Sequence, residues 1–99
     1  MGLFSLFKSG KKKEMMQEAI ANGALIVDVR EKGEFNQDHV KGSLNIPLGV
    51  IARVVDRLKK KGKPIVLCCL SGGRSGMANS ILKNAGIESY NAGSYRSLK

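Results

Sequence analysis

The sequence predicts an α/β fold, with a parallel sheet between helical layers. Short apolar runs typical of strands alternate with segments of helical spacing. The run from Ala24 to Val29 is continuous, as in strands that are covered on both faces. The length of 99 residues suits one domain. In such a domain, ligands bind beyond the carboxyl ends of the strands.

A local pattern justifies each element. Residues 1–13 are expected to form a basic, loosely ordered leader, with the domain at 14–99. Helical spacing runs from Glu14 to Asn22-Gly23, and a later helix has a core face at Met77, Ala78, Ile81 and Leu82 and ends near Gly86. The other expected elements are strands at 24–29, 44–46, 65–68 and 87–91, a short helix or turn at 31–38, and a helix at 50–58.

Composition and charge disfavour several classes of protein. Apolar runs are shorter than the ~20 residues of a membrane helix, and residues 1–13 lack the features of a secretory signal. The apolar side chains of Leu3 to Phe7 could still dock on the domain or on a membrane surface. The formal net charge is +9, but the lysines cluster in the leader and at 59–63, and aromatic residues are few. This pattern favours small anions or acidic partners over specific nucleic-acid binding. The adjacent Cys68 and Cys69 suit a reducing cytoplasm.

The candidate site lies where a buried strand, starting at Ile65, runs into a turn of small and polar residues and then into an amphipathic helix. The helix N-terminus, the loop amides and Arg74 favour the thiolate of a cysteine in this turn over its thiol. The thiolate is the nucleophilic form of cysteine. We therefore expect a cysteine that attacks or carries something anionic.

Three passages of the chain resemble the rhodanese-like sulfurtransferase family. They are Asp28-Val29-Arg30 with Glu34-Phe35, the passage from His39 through Gly42 to Asn45-Ile46-Pro47, and Cys69 to Ser75. The resemblance covers nearly all of 14–93. It departs at Asp38, where glycine is usual, at Cys68, where an aromatic is common, and after Gly93, where a tryptophan is expected.

The resemblance implies a rhodanese-like parallel sheet of about five strands. It also implies a thiosulfate sulfurtransferase in which Cys69 takes a sulfane sulfur from thiosulfate or a related donor. The resulting persulfide passes the sulfur to cyanide or to a thiol. A sulfur-relay protein is a further possible partner, and no cofactor is expected.

Two registers of the loop predict different reactions. Four residues separate Cys69 from Arg74, as in single-domain rhodaneses, whereas five separate Cys68 from Arg74, as in the C-x5-R-S pattern of cysteine phosphatases. We favour Cys69, because the passages outside the loop match the sulfurtransferase and because Cys68 suits a packed strand end. The two side chains should point to opposite faces of the strand. A third hypothesis is a carrier or docking module without turnover.

Cys69 is thus the predicted catalytic residue. Arg74 is expected to bind donor oxygens or balance charge, with a loop-bracing salt bridge as the alternative. Asp28 and Arg30 are supporting residues, for which an ion pair or loop anchor is favoured over substrate contact. His39 is expected to anchor a loop rather than transfer protons, and a metal site is not expected. The predicted substrate-binding residues are Leu70, Ser71, Gly72, Gly73, Arg74 and Ser75.

Overall fold

A computed structural model describes the backbone of residues 2–99 and the side chains from residue 10 onward. The side chains of Leu3 to Phe7 lie outside the described residues, so their docking stays a prediction, as does the division into a leader and a domain. The helices are α1 (Gly2–Ala21), α2 (Lys32–Gln37), α3 (Leu48–Ile51), α4 (Val55–Lys60) and α5 (Gly73–Asn84); the strands are β1 (Leu25–Asp28), β2 (Leu44–Asn45), β3 (Ile65–Cys69) and β4 (Ser89–Ser94).

The strands form one parallel sheet in the order β2-β1-β3-β4. This confirms the α/β fold, and the four strands within residues 2–99 come close to the expected five. The sheet places β1 and β3 in its interior, and every residue of β3 is buried. The carboxyl end of β3 therefore opens directly into the loop that precedes α5.

Side chains alternate between two separate cores on the faces of the sheet. Ile65, Leu67 and Cys69 pack with residues of α3, α4 and α5 on one face. Cys68 packs on the other face, against Val40 and Tyr95. The two neighbouring cysteines thus occupy opposite faces of β3, as the strand period predicts.

Three predicted helices differ from the observed ones. The first begins at Gly2 rather than Glu14. The helix expected at 50–58 is divided by a 3₁₀ turn at Ala52–Val54, where Val54 leaves the helical conformation with φ −111° and ψ 11°. This break lets the two short helices bury one apolar side chain each, Ile51 and Leu58.

In α5, the core face is correct at Ala78 and Leu82, which are buried, but wrong at Met77, which is 63% exposed. The helix ends with Ala85 as its cap, followed by Gly86 at φ +80°, as the predicted glycine stop requires.

Candidate active site

The Cys69 sulfur lies at the end of β3, beneath the first turn of α5. The Gly72 amide donates to Sγ at 3.0 Å and the Ser75 amide at 3.5 Å, while Ser75 Oγ lies 3.2 Å from Sγ. Gly72 has φ +105° at the helix cap, a conformation that favours glycine. The turn therefore aims main-chain donors at the single sulfur atom of a residue that is only 1% exposed.

These donors favour the thiolate. Burial of Cys69 opposes ionisation, but hydrogen bonds from the Ser75 side chain and amide and from the amides of Gly72 and Ser71 outweigh it, so the pKa of the thiol is lowered. The N-terminus of α5 contributes a partial positive charge in the same direction. Cys69 therefore combines a buried position with a lowered thiol pKa.

Asn91 on β4 braces this loop from the side. Its Oδ1 accepts from Ser75 Oγ at 2.7 Å and from the Gly93 amide at 2.9 Å, and its Nδ2 donates to the Gly72 carbonyl at 3.1 Å. The sequence prediction did not include Asn91. The sequence does show a polar residue at this position of the predicted strand, but Asn91 lies too far from Ser75 along the chain for their contact to be predicted.

Arg74 forms an ion pair with a residue of α2. Its two terminal nitrogens bind the two carboxylate oxygens of Glu34 at 2.7 and 3.0 Å. The hydrogen bond to Arg74, with one from the Glu31 backbone, lowers the pKa of Glu34 to about 2. This bidentate pair ties the loop to α2, which is the bracing arrangement considered from the sequence.

Asp28 and Arg30 form a buried ion pair on the face opposite Cys69. Arg30 Nη2 lies 2.7 Å from Asp28 Oδ2, and Nε lies 3.0 Å from each carboxylate oxygen. Asp28 is the register partner of Cys68, so it shares the face of Cys68 rather than that of Cys69.

The Arg30 guanidinium also anchors other parts of the fold. It donates to the main-chain oxygens of Glu34 and Asp38 and lies 3.9 Å from the ring centre of Tyr95. Arg30 thus fixes the segment that carries Glu34, and Glu34 in turn binds Arg74. Its geometry is that of a loop anchor.

Cys68 has the opposite environment from its neighbour. Its side chain is fully buried, and burial together with the nearby Asp28 carboxylate raises its pKa to about 12. A thiol in this state is a poor nucleophile at neutral pH. The geometry therefore favours the Cys69 register of the loop over the Cys68 register.

The remaining predicted residues lie around the mouth of the site. Leu70 is 45% exposed, and Ser71 and Gly73 are exposed as well. His39 is exposed, stacks on Phe35 and hydrogen-bonds the Phe35 carbonyl through Nδ1 at 2.7 Å. The loop therefore offers solvent-accessible positions above a buried sulfur, while His39 stabilises its own turn.

A groove of about 920 Å³ lies elsewhere, between α1, β4 and the C-terminal segment. Cys69 does not line it, but Asn91, which braces the Cys69 loop, does. Within the described part of the chain, no His, Cys, Asp or Glu cluster suits a metal ion, and no helix combines the length and apolarity that crossing a membrane requires.

Comparison with known proteins identifies the family. The model of the rhodanese-like domain matches residues 11–98. The chain belongs to the rhodanese-like domain family. Its curated relatives include a tRNA sulfurtransferase of Thermoplasma acidophilum, 35% identical over 76% of this chain and 15% of that protein, and the thiosulfate sulfurtransferase PspE of Escherichia coli, 34% identical over 61% of this chain and 59% of that protein.

A solved structure supports the same assignment. A rhodanese with anions from E. coli superposes with a TM-score of 0.68 at 31% identity, covering 76% of this chain and 91% of that one. Together with the family match, this superposition places the chain in the rhodanese fold. The chain spans 15% to 59% of the length of the two curated relatives described above.

Proposed function

We propose that this rhodanese-like domain moves a sulfane sulfur from thiosulfate or a related donor to a thiol or cyanide through a persulfide on Cys69. The observation that carries the proposal is the convergence of the Gly72 and Ser75 donors on Sγ, with the lowered pKa of that thiol. The same donors suit a terminal persulfide sulfur, which is also partly anionic. A reducing compartment such as the cytoplasm would keep the thiol available.

In the first step, the Cys69 thiolate attacks the outer sulfur of thiosulfate. The new sulfur–sulfur bond forms as the old one breaks, and sulfite leaves with the electron pair. In the second step, an acceptor thiolate or cyanide attacks the terminal sulfur of the persulfide, and Cys69 leaves as a thiolate. Neither step needs a general base if the attacking group is already ionised.

The exposed residues of the loop would receive the substrates. Leu70, Ser71 and Gly73 are the positions through which a small anion or an acceptor thiol would approach Sγ. In this proposal Arg74 shapes the loop, because its terminal nitrogens already bind Glu34. Its remaining charge attracts the anionic donor only weakly, since the Glu34 carboxylate balances it.

Intact-mass measurement after incubation with thiosulfate tests the proposal. The wild-type chain should gain the mass of one sulfur atom, and cyanide should remove it. Cys68→Ser is the matched control and should load as the wild type does, whereas Cys69→Ser should not load at all. Loading that requires Cys68 instead, or hydrolysis of an aryl phosphate, would overturn the assignment.

The carrier hypothesis gives a different result in the same experiment. A carrier would fail to load from thiosulfate but would accept sulfur from a protein donor such as a cysteine desulfurase. With a net charge of +9, that transfer should weaken as salt is added. Fast turnover with small donors that is indifferent to salt would exclude a carrier.

A further inference from the structure

Two serine–asparagine hydrogen bonds join α5 to β4. The serine lies on the helix in one pair and on the strand in the other. In the first, Ser75 of the helix donates to Asn91 Oδ1 of the strand at 2.7 Å. In the second, one turn along the helix, Ser89 of the strand donates to Asn79 Oδ1 of the helix at 2.5 Å. The first pair also reaches Cys69, because Ser75 Oγ lies 3.2 Å from its sulfur. The second pair is a natural control for the first.

The hydrogen bonds of Asn91 fix the orientation of its amide. Oδ1 faces the Gly93 amide at 2.9 Å, and Nδ2 faces the Gly72 carbonyl at 3.1 Å. A flipped amide would place donor against donor and acceptor against acceptor. Oδ1 therefore faces Ser75 and can accept its hydroxyl proton.

This orientation determines how Ser75 serves the thiol. In the neutral state the Cys69 S–H donates to Ser75 Oγ, and Ser75 donates to Asn91. When Cys69 ionises, its sulfur becomes an acceptor, so the hydroxyl proton turns to the sulfur. Asn91 Oδ1 then keeps the Gly93 amide as its donor and is not left unsatisfied.

We propose that Asn91 is a positioning residue for Cys69: it holds the Gly72 carbonyl with one end of its amide and competes for the Ser75 hydroxyl proton with the other. It thereby sets both the placement of the loop donors and the ease with which the thiol ionises. The inference rests on the proposed function only in taking Cys69 as the reacting group.

Charged and titratable neighbours of Cys69 also affect its ionisation. Among the described residues these are Arg74 on α5 and Cys68 on β3. Glu34 on α2 balances the charge of Arg74, and Cys68 stays protonated at neutral pH because its pKa is raised to about 12. Asp28 on β1 lies on the other face with Cys68. The contribution of β4 is the uncharged Asn91, which a substitution can change selectively.

The test compares Asn91→Asp with Asn79→Asp in the Cys68→Ser background. Aspartate at 91 keeps the acceptor for Ser75 but adds a negative charge, holds the hydroxyl proton more strongly and loses the donor to the Gly72 carbonyl. All three changes disfavour the thiolate. The iodoacetamide alkylation rate of Cys69, measured against pH, should show a midpoint raised by about one unit, equal to about tenfold less thiolate below the midpoint.

Asn79→Asp adds the same charge to the same pair of elements, one helical turn away, and should leave the midpoint near that of the parent. Ser75→Ala should reduce the effect of Asn91→Asp, because the hydroxyl that connects the two groups is then absent. Equal midpoints for the two aspartate variants, with both shown to be folded by thermal melting, would overturn the proposal.

A measurement on the wild-type protein covers the case in which Asn91→Asp does not fold. In a ¹⁵N-labelled sample, the side-chain amide resonances of Asn91 should titrate with the midpoint of Cys69 alkylation, whereas those of Asn79 should not. Absence of that titration would refute the coupling. Alkylation does not require sulfur transfer, so a shifted midpoint without persulfide loading would reject the proposed function and keep this inference.

Discussion

Replacing Arg30 by methionine should destabilise the fold strongly, because it leaves a buried carboxylate without its ion-pair partner. Asp28 is fully buried, and the Arg30 side chain contacts both of its oxygens through Nε and Nη2. The substitution removes these side-chain contacts. The main-chain amide of residue 30 still donates to Oδ1, at 3.0 Å. Breaking one side of a buried ion pair costs ~3–5 kcal/mol.

That cost is large for a chain of this size. For a domain of about 100 residues, each ~1 kcal/mol lowers the melting temperature by about 4–8 °C, so Arg30→Met should lower it by at least about 12 °C. Thermal and urea denaturation followed by circular dichroism measure the change. Arg96→Met is the matched control, because Arg96 is exposed, faces the same Tyr95 ring at 5.1 Å and has no carboxylate partner among the side chains that the structure describes.

The double variant Asp28→Asn with Arg30→Met should recover part of the lost stability, since no buried charge is left. Below its melting temperature, Arg30→Met should still load sulfur on Cys69, because the ion pair lies on the opposite face of the sheet. A loss of stability no greater than that of Arg96→Met would refute the reasoning. Loss of loading in the folded variant would instead show that Arg30 affects the loop, either through the segment that carries Glu34 or through contact with the substrate.

Two further perturbations address the loop. Gly72→Ala should destabilise the fold by ~1–2 kcal/mol, because residue 72 has a left-handed conformation, and it should also slow the alkylation of Cys69. The control Gly42→Ala, at φ +84°, should lower stability without slowing alkylation. Equal alkylation rates in the two variants would contradict this prediction. Glu34→Gln should remove the pH dependence of the Arg74 pair. The pKa of Glu34 falls from 4.5 to about 2 on folding, so the ionised carboxylate stabilises the fold fully above pH 4.5 and loses this effect as the pH falls towards 2. The melting temperatures of wild type and variant should therefore converge over that range.

Local patterns were sufficient to predict the sheet and the position of the cysteine loop. The alternation of apolar runs with helical spacing placed β1, β3 and α5, and the strand period alone separated Cys68 from Cys69. Each of these features depends on residues that are neighbours in the chain. The short helix or turn predicted at 31–38, which is α2 in the structure, and the stop at Gly86 are predictions of the same kind.

The contacts that brace the site were beyond such patterns, because they join distant parts of the chain. Forty positions separate Glu34 from Arg74, and sixteen separate Ser75 from Asn91. These distances close only when the crossovers bring α2, α5 and β4 together at one end of the sheet. The exposure of Met77 has the same origin, since helical spacing gives a face but not the width of the neighbouring elements that cover it.

The placement of the two cysteines on opposite sides of β3 has a chemical consequence. In many thiol proteins a second cysteine in the same pocket resolves whatever the first one carries, by closing a disulfide. Here the adjacent sulfur points into a separate core, and the chain contains no third cysteine. Under the proposed function, a group loaded on Cys69 would therefore meet no second cysteine of these 99 residues in its pocket, and the lifetime of the loaded state would depend on the supply of acceptor.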